Sequence, residues 1–574
     1  MKKFLCVLCA LCGLSSFTLA LDREAFTFTK YDLDVRIEPE QQRLAVRGAI
    51  TLRNDSQAAQ KNVALQISSS LTWRSIQVSG KPVQFVSQTY TSDIDHTGAL
   101  SEAIVTLPEA IASKGAIELQ IGYEGTISLD TTRLTRIGVP EEAAKHADWD
   151  QISGDFTAVR GIGYVAWYPV AMEAANLSEK NSVFDAVATW KTRASEAEVV
   201  LKLHYSEQST EAVPTVLCNG RMDRSMTEEI SRARSVDLEC SFAPLADAVP
   251  TFVTGRYEQT PGRFSDVYYL AGHKALAASY TASTDSVAPF VTDWFGSPRG
   301  KVSVADLPDL DAIPFENEDL FLAPLVGSGP KQVELAAARQ LAHAAFFSPR
   351  PWIREGLTHF AQALYREQQD GRAAALAFMK SHEEIMLAAE KVLSVGEKAS
   401  VENSLINTSQ EEFYRSKAMY VWWMLRDQVG DAALKASLAA YRPEQDKEPS
   451  YMQRRIEAQS KKDLEWFFDD WVYRDKGLPD LRVVSVYPRK TMKNTYLVTV
   501  TVENLGNAAA EVPVIAHFAG LESKDRLLVK GKSQASIRLE TTSRPEEVTV
   551  NDGSVPESDT GNNTFKVDAA TDSQ

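Results

Sequence analysis

Five side chains that could take part in metal or acid–base chemistry lie on two neighbouring segments with helical periodicity. Arg339, Gln340 and His343 lie on the first segment, and Glu355 and His359 lie on the second. Residues four positions apart share one face of a helix, so Glu355 and His359, together with His343, could hold a metal ion. However, a histidine in an alanine-rich helix is more often a hydrogen-bonded core residue, and a Glu–His pair at this spacing is usually a solvated contact. The residues alone therefore favour a structural role.

Two motifs around these residues resemble those of a zinc peptidase family. The segment that ends at His343 reads R-Q-L-A-H, similar to the H-E-L-A-H of the membrane alanyl aminopeptidase family of gluzincins, and Trp352–Gly356 is similar to its W-L-x-E-G. The resemblance implies a thermolysin-like domain in which two histidines and a glutamate bind zinc. It places His343 and Glu355 at two of the ligand positions. Arg339 then occupies the position of the first histidine, and Gln340 that of the general-base glutamate.

These two replacements predict a degenerate zinc site. A guanidinium stays protonated at ordinary pH and cannot act as a metal ligand, so Arg339 should repel zinc and pair with Glu355 instead. The amide of Gln340 cannot accept a proton from water. We therefore expect no zinc, no other cofactor and no peptidase activity. The alternative is an active zinc peptidase whose ligands are His343, Glu355 and His359.

Two further segments carry a weaker similarity to the same family. Ile313–Asn317 resembles the G-x-M-E-N motif, whose glutamate binds the free amino terminus of a substrate. This implies that Glu316 and Asn317 contact a bound peptide. Tyr414 lies near the position of the tyrosine that stabilises the oxyanion, although its neighbours are displaced by one position from the family pattern. The expected partner is therefore a peptide or a protein.

The 574 residues are too many for one hydrophobic core, and apolar patterns divide them into several parts. Residues 1–20 have a basic start, a short apolar run and a small-residue end, which predict a signal peptide, export to the periplasm or the medium, and a soluble protein without a membrane span. Alternation predicts a β-rich domain over 21–258 and again over 481–574, whereas helical spacing predicts a mainly α domain over 259–480. With the family resemblance, the expected fold is multidomain α+β, with an N-terminal β-sandwich-like domain, a thermolysin-like mainly α peptidase domain and a C-terminal immunoglobulin-like β-sandwich.

The charge of the chain argues against nucleic acid as a partner. The net charge is -16 and the isoelectric point is about 5.2. The sequence also lacks a lysine and arginine cluster long enough to follow a phosphate backbone. The acidity is typical of a soluble exported protein.

Cys218 and Cys240 are the two cysteines outside residues 1–20. An even pair in an exported protein predicts a disulfide. The alternative is two buried free thiols.

The C-terminal segment offers a separate function class. Val550–Gly553, with the acidic and asparagine residues that follow, resembles the closing strand of bacterial immunoglobulin-like domains related to cell adhesion. We expect this domain to act as a stabilising or spacing module. The alternative is a surface adhesion or structural protein that acts through it.

Overall fold

The computed structural model describes residues 21–179, 182–209, 211–230, 233–327, 329–390, 404–408 and 413–568. The predicted signal peptide therefore lies outside the described residues. The chain divides into two compact units, Met1–Arg256 and Tyr257–Gln574. The finer division into domains at 258 and 480 stays a prediction. In the described part of the chain, no helix has the length and apolar character needed to span a bilayer.

The first unit is built mainly from strands. Its strands are β1 (Phe26–Glu38), β2 (Arg43–Asn54), β3 (Gln60–Ser68), β4 (Leu71–Val78), β5 (Lys81–Pro82), β6 (Gln84–Thr91), β7 (Ala99–Ile111), β8 (Ala116–Thr126), β9 (Phe156–Val159), β10 (Glu198–Gln208), β11 (Thr215–Cys218), β12 (Arg221–Ile230), β13 (Ala233–Phe242) and β14 (Phe252–Gly255). Its helices are α1 (Thr132–Arg136), α2 (Glu141–Ala147) and α3 (Ser182–Ala194).

These strands form an eight-stranded sheet in the order β12-β13-β10-β1-β2-β8-β4-β5 and two three-stranded sheets, β3-β7-β6 and β11-β14-β9. The alternation of apolar and polar residues explains the large sheet, because Leu33 and Val35 are fully buried on one face of β1 while Asp34 between them is not. Apolar residues of the large sheet and of β3 and β7 belong to one hydrophobic core. A disulfide joins Cys218, at the end of β11, to Cys240 on β13.

The second unit begins with a small sheet and a set of helices. Its first elements are β15 (Glu258–Pro261), β16 (Ser265–Tyr269), α4 (Lys274–Phe295), β17 (Val302–Asp306), β18 (Phe315–Asn317), β19 (Leu320–Ala323), α5 (Pro330–Ala345), α6 (Pro351–Asp370), α7 (Arg372–Lys380), α8 (Glu383–Ala389), a π-helical turn (Phe413–Lys417), α9 (Ala418–Val429), α10 (Asp431–Ala439), α11 (Tyr451–Ser460), α12 (Glu465–Phe468) and a second π-helical turn (Asp469–Tyr473). The sheet order is β15-β16-β17-β19-β18, so β18 is an edge strand.

The unit ends with strands β20 (Leu481–Lys490), β21 (Tyr496–Asn504), β22 (Ala510–Phe518), β23 (Leu521–Val529), β24 (Ser533–Thr541), β25 (Glu547–Val550) and β26 (Thr564–Lys566). They form two sheets, β20-β21-β24 and β23-β22-β25-β26. Their apolar residues share one hydrophobic cluster with α4, α5, α6 and α9. The indole of Trp471 donates to the carbonyl of Ala509 at 2.8 Å, and the amide of Ala509 donates to Asp470 at 2.8 Å. The last two sheets therefore help to fix the helices.

Two contacts set the position of α6, which carries Glu355. Trp352 stacks on Trp422 of α9, with ring centroids 5.3 Å apart, and both side chains are fully buried. A Cβ at Gly356 would lie 2.6 Å from the Cβ of Ala418. Only glycine therefore allows α6 to approach α9 this closely, and the approach holds Glu355 in place.

We predict that the Cys218–Cys240 disulfide contributes about 3 kcal/mol to the free energy of unfolding, because it closes a loop between residues that are 22 positions apart. Urea unfolding of the wild type with and without a phosphine reductant measures this contribution. In the Cys218→Ala/Cys240→Ala variant, the reductant should cause no further loss. A wild type that is equally stable in both conditions would contradict the prediction.

Candidate functional site

The second unit brings the sequence-predicted residues together on α5, α6 and β18. Arg339, Gln340 and His343 lie on α5, and Glu355 lies on α6. His343 Nε2 is 3.4 Å from Glu355 Oε1. The two ligand positions retained from the family pattern are thus adjacent across the α5–α6 contact.

The guanidinium of Arg339 lies between two carboxylates. Its Nε is 3.1 Å from Glu316 Oε2, and its Nη2 is 3.7 Å from Glu355 Oε2. The sequence predicted a pairing of Arg339 with Glu355 and did not foresee that Glu316, from the edge strand β18, takes the closer position. Asn317 follows Glu316 on β18, where it pairs with Leu320 of β19.

Arg415 is the site residue that the sequence reasoning missed. It lies on the π-helical turn before α9, and its Nε is 3.3 Å from Glu355 Oε2. Its neighbour Tyr414 was the predicted candidate, but the side chain of Tyr414 lies outside the described residues. The sequence signal for Arg415 was only this adjacency. We call Arg339, Glu316, His343, Glu355 and Arg415 the Arg339 cluster.

The turn that carries Arg415 is held by a buried lysine. Lys417 Nζ is 3.0 Å from Glu390 Oε1 and 3.3 Å from Asp475 Oδ1. All three side chains are buried, so the charges are paired in a region of low dielectric. This contact fixes the π-helical turn and thereby the approach of Arg415 to Glu355.

The electrostatics of the cluster keep Glu355 ionised. Burial alone would raise the pKa of Glu355, but His343, Arg415 and Arg339 together lower this pKa well below its ordinary value. Because Glu355 is already paired with these groups, its carboxylate is stabilised without a metal ion.

His359 takes a structural position. Its Nδ1 lies 3.1 Å from the backbone oxygen of Glu355, and because a carbonyl oxygen can only accept, Nδ1 carries the proton and donates it. Burial and the charges of Arg339 and Arg415 lower the pKa of His359 well below its ordinary value, so the ring is neutral. Among the described residues, His343, Glu355 and His359 do not bring three ligand atoms within 4.8 Å of one another.

Gln340 is part of a buried hydrogen bond. The hydroxyl of Tyr280 donates to Gln340 Oε1 at 2.8 Å. Within the described residues, Gln340 Nε2 is buried without a hydrogen-bond partner. The side chain that stands at the general-base position thus accepts a hydrogen bond on α5 and cannot accept a proton.

Comparisons with known proteins show that the chain shares its fold with solved peptidase structures. No protein-family model matches the chain, and no curated protein matches it. Aminopeptidase A of Legionella pneumophila, solved in complex with aspartic acid, is similar with a TM-score of 0.60 and 13% identity, over 93% of this chain and 59% of that chain. An M1 zinc metallopeptidase from Deinococcus radiodurans is similar with a TM-score of 0.47 and 16% identity, over 77% of this chain and 92% of that chain.

The chain spans less than two thirds of the Legionella enzyme, at 59% of that chain. Identity this low establishes the shared fold alone. The chain has an aminopeptidase-like fold, and the coarse expectation of a multidomain protein that mixes helices with several β-sheets is confirmed.

The zinc ion that the motif resemblance implies does not fit the donor set of the Arg339 cluster. His343 and Glu355 remain as donors, but the third position holds a guanidinium, which has no lone pair to offer. A dication beside Glu355 would also meet the positive charges of Arg339 and Arg415, whose nitrogens lie 3.7 Å and 3.3 Å from the Glu355 carboxylate.

We predict that Glu355→Gln lowers the free energy of unfolding by about 1.5–3 kcal/mol near neutral pH, because it removes the carboxylate that faces the partly buried guanidiniums of Arg339 and Arg415. The folded-state pKa of Glu355 is depressed, so its contribution is fully present above its unfolded pKa of 4.5 and is lost as the pH falls through the folded pKa. Urea unfolding should therefore show that the difference in the free energy of unfolding between the wild type and Glu355→Gln becomes smaller only at acid pH. Glu522→Gln, at an exposed position, is the control, and a constant difference across pH would contradict the prediction.

Proposed function

We propose that this chain is an exported protein of aminopeptidase-like fold that has lost zinc binding and peptidase activity, and that binds peptide or protein segments beside Glu316. The observation that carries the proposal is the position of Arg339, whose guanidinium contacts both Glu316 and Glu355 and lies one helical turn from His343. On this proposal, a permanent cation takes the place that the resemblance assigns to the metal.

The loss of chemistry follows from two independent features. Hydrolysis by a zinc peptidase requires a metal that activates water and a base that accepts its proton. The charge of Arg339 opposes the first requirement, and the amide of Gln340 cannot meet the second. General-base assistance alone is typically worth about a hundredfold to ten-thousandfold in rate.

Polypeptide binding is supported by the acceptor that remains on β18. Glu316 Oε2 faces Arg339, whereas Glu316 Oε1 is buried and has no hydrogen-bond partner within the described residues. A buried acceptor without a partner is costly, and an N–H group of a ligand would satisfy it. An extended segment that lies along an edge strand such as β18 would present N–H groups at this point.

The zinc prediction compares the wild type with Arg339→His/Gln340→Glu. After exposure to zinc and desalting, elemental mass spectrometry should find near-zero zinc in the wild type, because Arg339 excludes the ion. In the variant, two histidines and Glu355 complete a zinc ligand set, so we expect about one zinc per chain.

The same samples are tested for hydrolysis of aminoacyl-amide substrates with and without a chelator. Chelator-sensitive hydrolysis by the wild type, together with bound zinc, would reject the proposal in favour of an active peptidase with an unconventional ligand set. A wild type without zinc or hydrolysis supports the proposal.

The peptide prediction uses fluorescein-labelled trialanine, with a free or an acetylated amino terminus, in fluorescence anisotropy. We expect Glu316→Gln to weaken binding about tenfold or more, because hydrogen bonds to charged groups contribute about 1.5–3 kcal/mol. Arg339 already neutralises Glu316, so the free and the acetylated peptide should bind with similar affinity. Glu522→Gln is the matched control, and binding that Glu316→Gln leaves unchanged would place the peptide elsewhere.

A further inference from the structure

A cavity lies at the carboxyl ends of α4 and α5, opposite the last turns of α10 and the first residues after it. It encloses about 530 Å³, within the range of about 300–1,000 Å³ typical of small-molecule sites. Trp294, Phe346 and Tyr441 line it, and each is more than nine-tenths buried. None of the residues of the Arg339 cluster lines this cavity.

The charged side chains around this aromatic cavity are mostly basic. Arg299, Lys435 and Arg442 line it together with a single acid, Asp293. Lys435 pairs with Asp293 at 2.5 Å and lies 4.5 Å from the ring centroid of Trp294. The cavity therefore carries an excess of positive charge on a protein whose net charge is -16.

The carboxyl ends of the helices explain some of these basic side chains, but not all of them. Cations are favoured at helix carboxyl ends. Arg442 Nη1 donates to the carbonyls of Ala439 and Tyr441 at 2.9 Å and 2.7 Å, which is a capping role at the end of α10. At the end of α5, it is the backbone amide of Arg299 that donates to Ala344, at 3.0 Å.

The side chain of Arg299 is thus not required for that cap. Its guanidinium lies 5.6 Å from the ring centroid of Phe347, which also lines the cavity. An exposed guanidinium beside aromatic rings can engage a carboxylate while the rings contact an apolar group.

We propose that this cavity binds a small organic carboxylate with an aromatic or large apolar group. The rings of Trp294, Phe346 and Tyr441 contact the apolar group, and Arg299 binds the carboxylate. This site is separate from the peptide site beside Glu316 and requires neither zinc nor hydrolysis.

The test is isothermal titration calorimetry of the full chain with N-acetylphenylalanine and with its neutral amide. We expect saturable binding of the acid and at least about tenfold weaker binding of the amide, because the amide lacks the charge-assisted hydrogen bonds. Arg299→Gln should weaken binding of the acid by about the same factor. Trp294→Leu should weaken both ligands, and Arg489→Gln, at an exposed position on β20, should change neither.

Circular dichroism confirms the folding of each variant, and the acid–amide comparison on the wild type does not depend on any variant. Undetectable binding of the acid at millimolar concentration overturns the proposal, as does equal affinity for acid and amide. Binding that persists in Arg299→Gln but is lost in Glu316→Gln places the ligand at the Arg339 cluster and also overturns it.

Discussion

The site depends on one buried electrostatic requirement, the neutralisation of Glu316 and Glu355. A carboxylate that is withdrawn from water loses its solvation, and a neighbouring cation compensates for that loss. Arg339 supplies this cation from α5, at 3.1 Å from Glu316 and 3.7 Å from Glu355, and Arg415 adds a second at 3.3 Å from Glu355. These two cations belong to the chain itself, and both lie within 4 Å of the carboxylate of Glu355.

Other elements of the second unit hold these charged side chains at contact distance from one another. The small residue Gly356 and the Trp352–Trp422 stack let α6 approach α9, which fixes Glu355. The buried Lys417 fixes the π-helical turn that carries Arg415. The last two sheets share a hydrophobic core with these helices. The C-terminal strands are therefore packed into the same core as the helices that carry the site.

An internal cation changes what the scaffold can do. A guanidinium provides a fixed single charge and directional N–H groups, whereas a zinc ion provides an open coordination position and an activated water. On the proposed function, the groups left to a ligand are hydrogen-bonding ones, such as Glu316 Oε1, which has no hydrogen-bond partner among the described residues. On the proposed function, the aminopeptidase-like fold serves recognition in place of hydrolysis, and the proposed site near Trp294 is independent of the Arg339 cluster.

The sequence by itself determined the helices and strands and the residue types at the site. Helical spacing put Arg339 and His343 one turn apart, alternation located the strands, and two short motifs indicated the aminopeptidase-like fold. Only the tertiary structure decided which groups meet. Arg415 reaches Glu355 from 60 positions away, and Glu316 takes the closer contact with Arg339. The Nδ1–H of His359 donates to a backbone carbonyl, so this nitrogen is not free to bind a metal. The physical reason is that the apolar periodicity of a sequence indicates which face of a helix or strand is buried. Contacts between side chains of distant elements depend on the packing that brings those faces together.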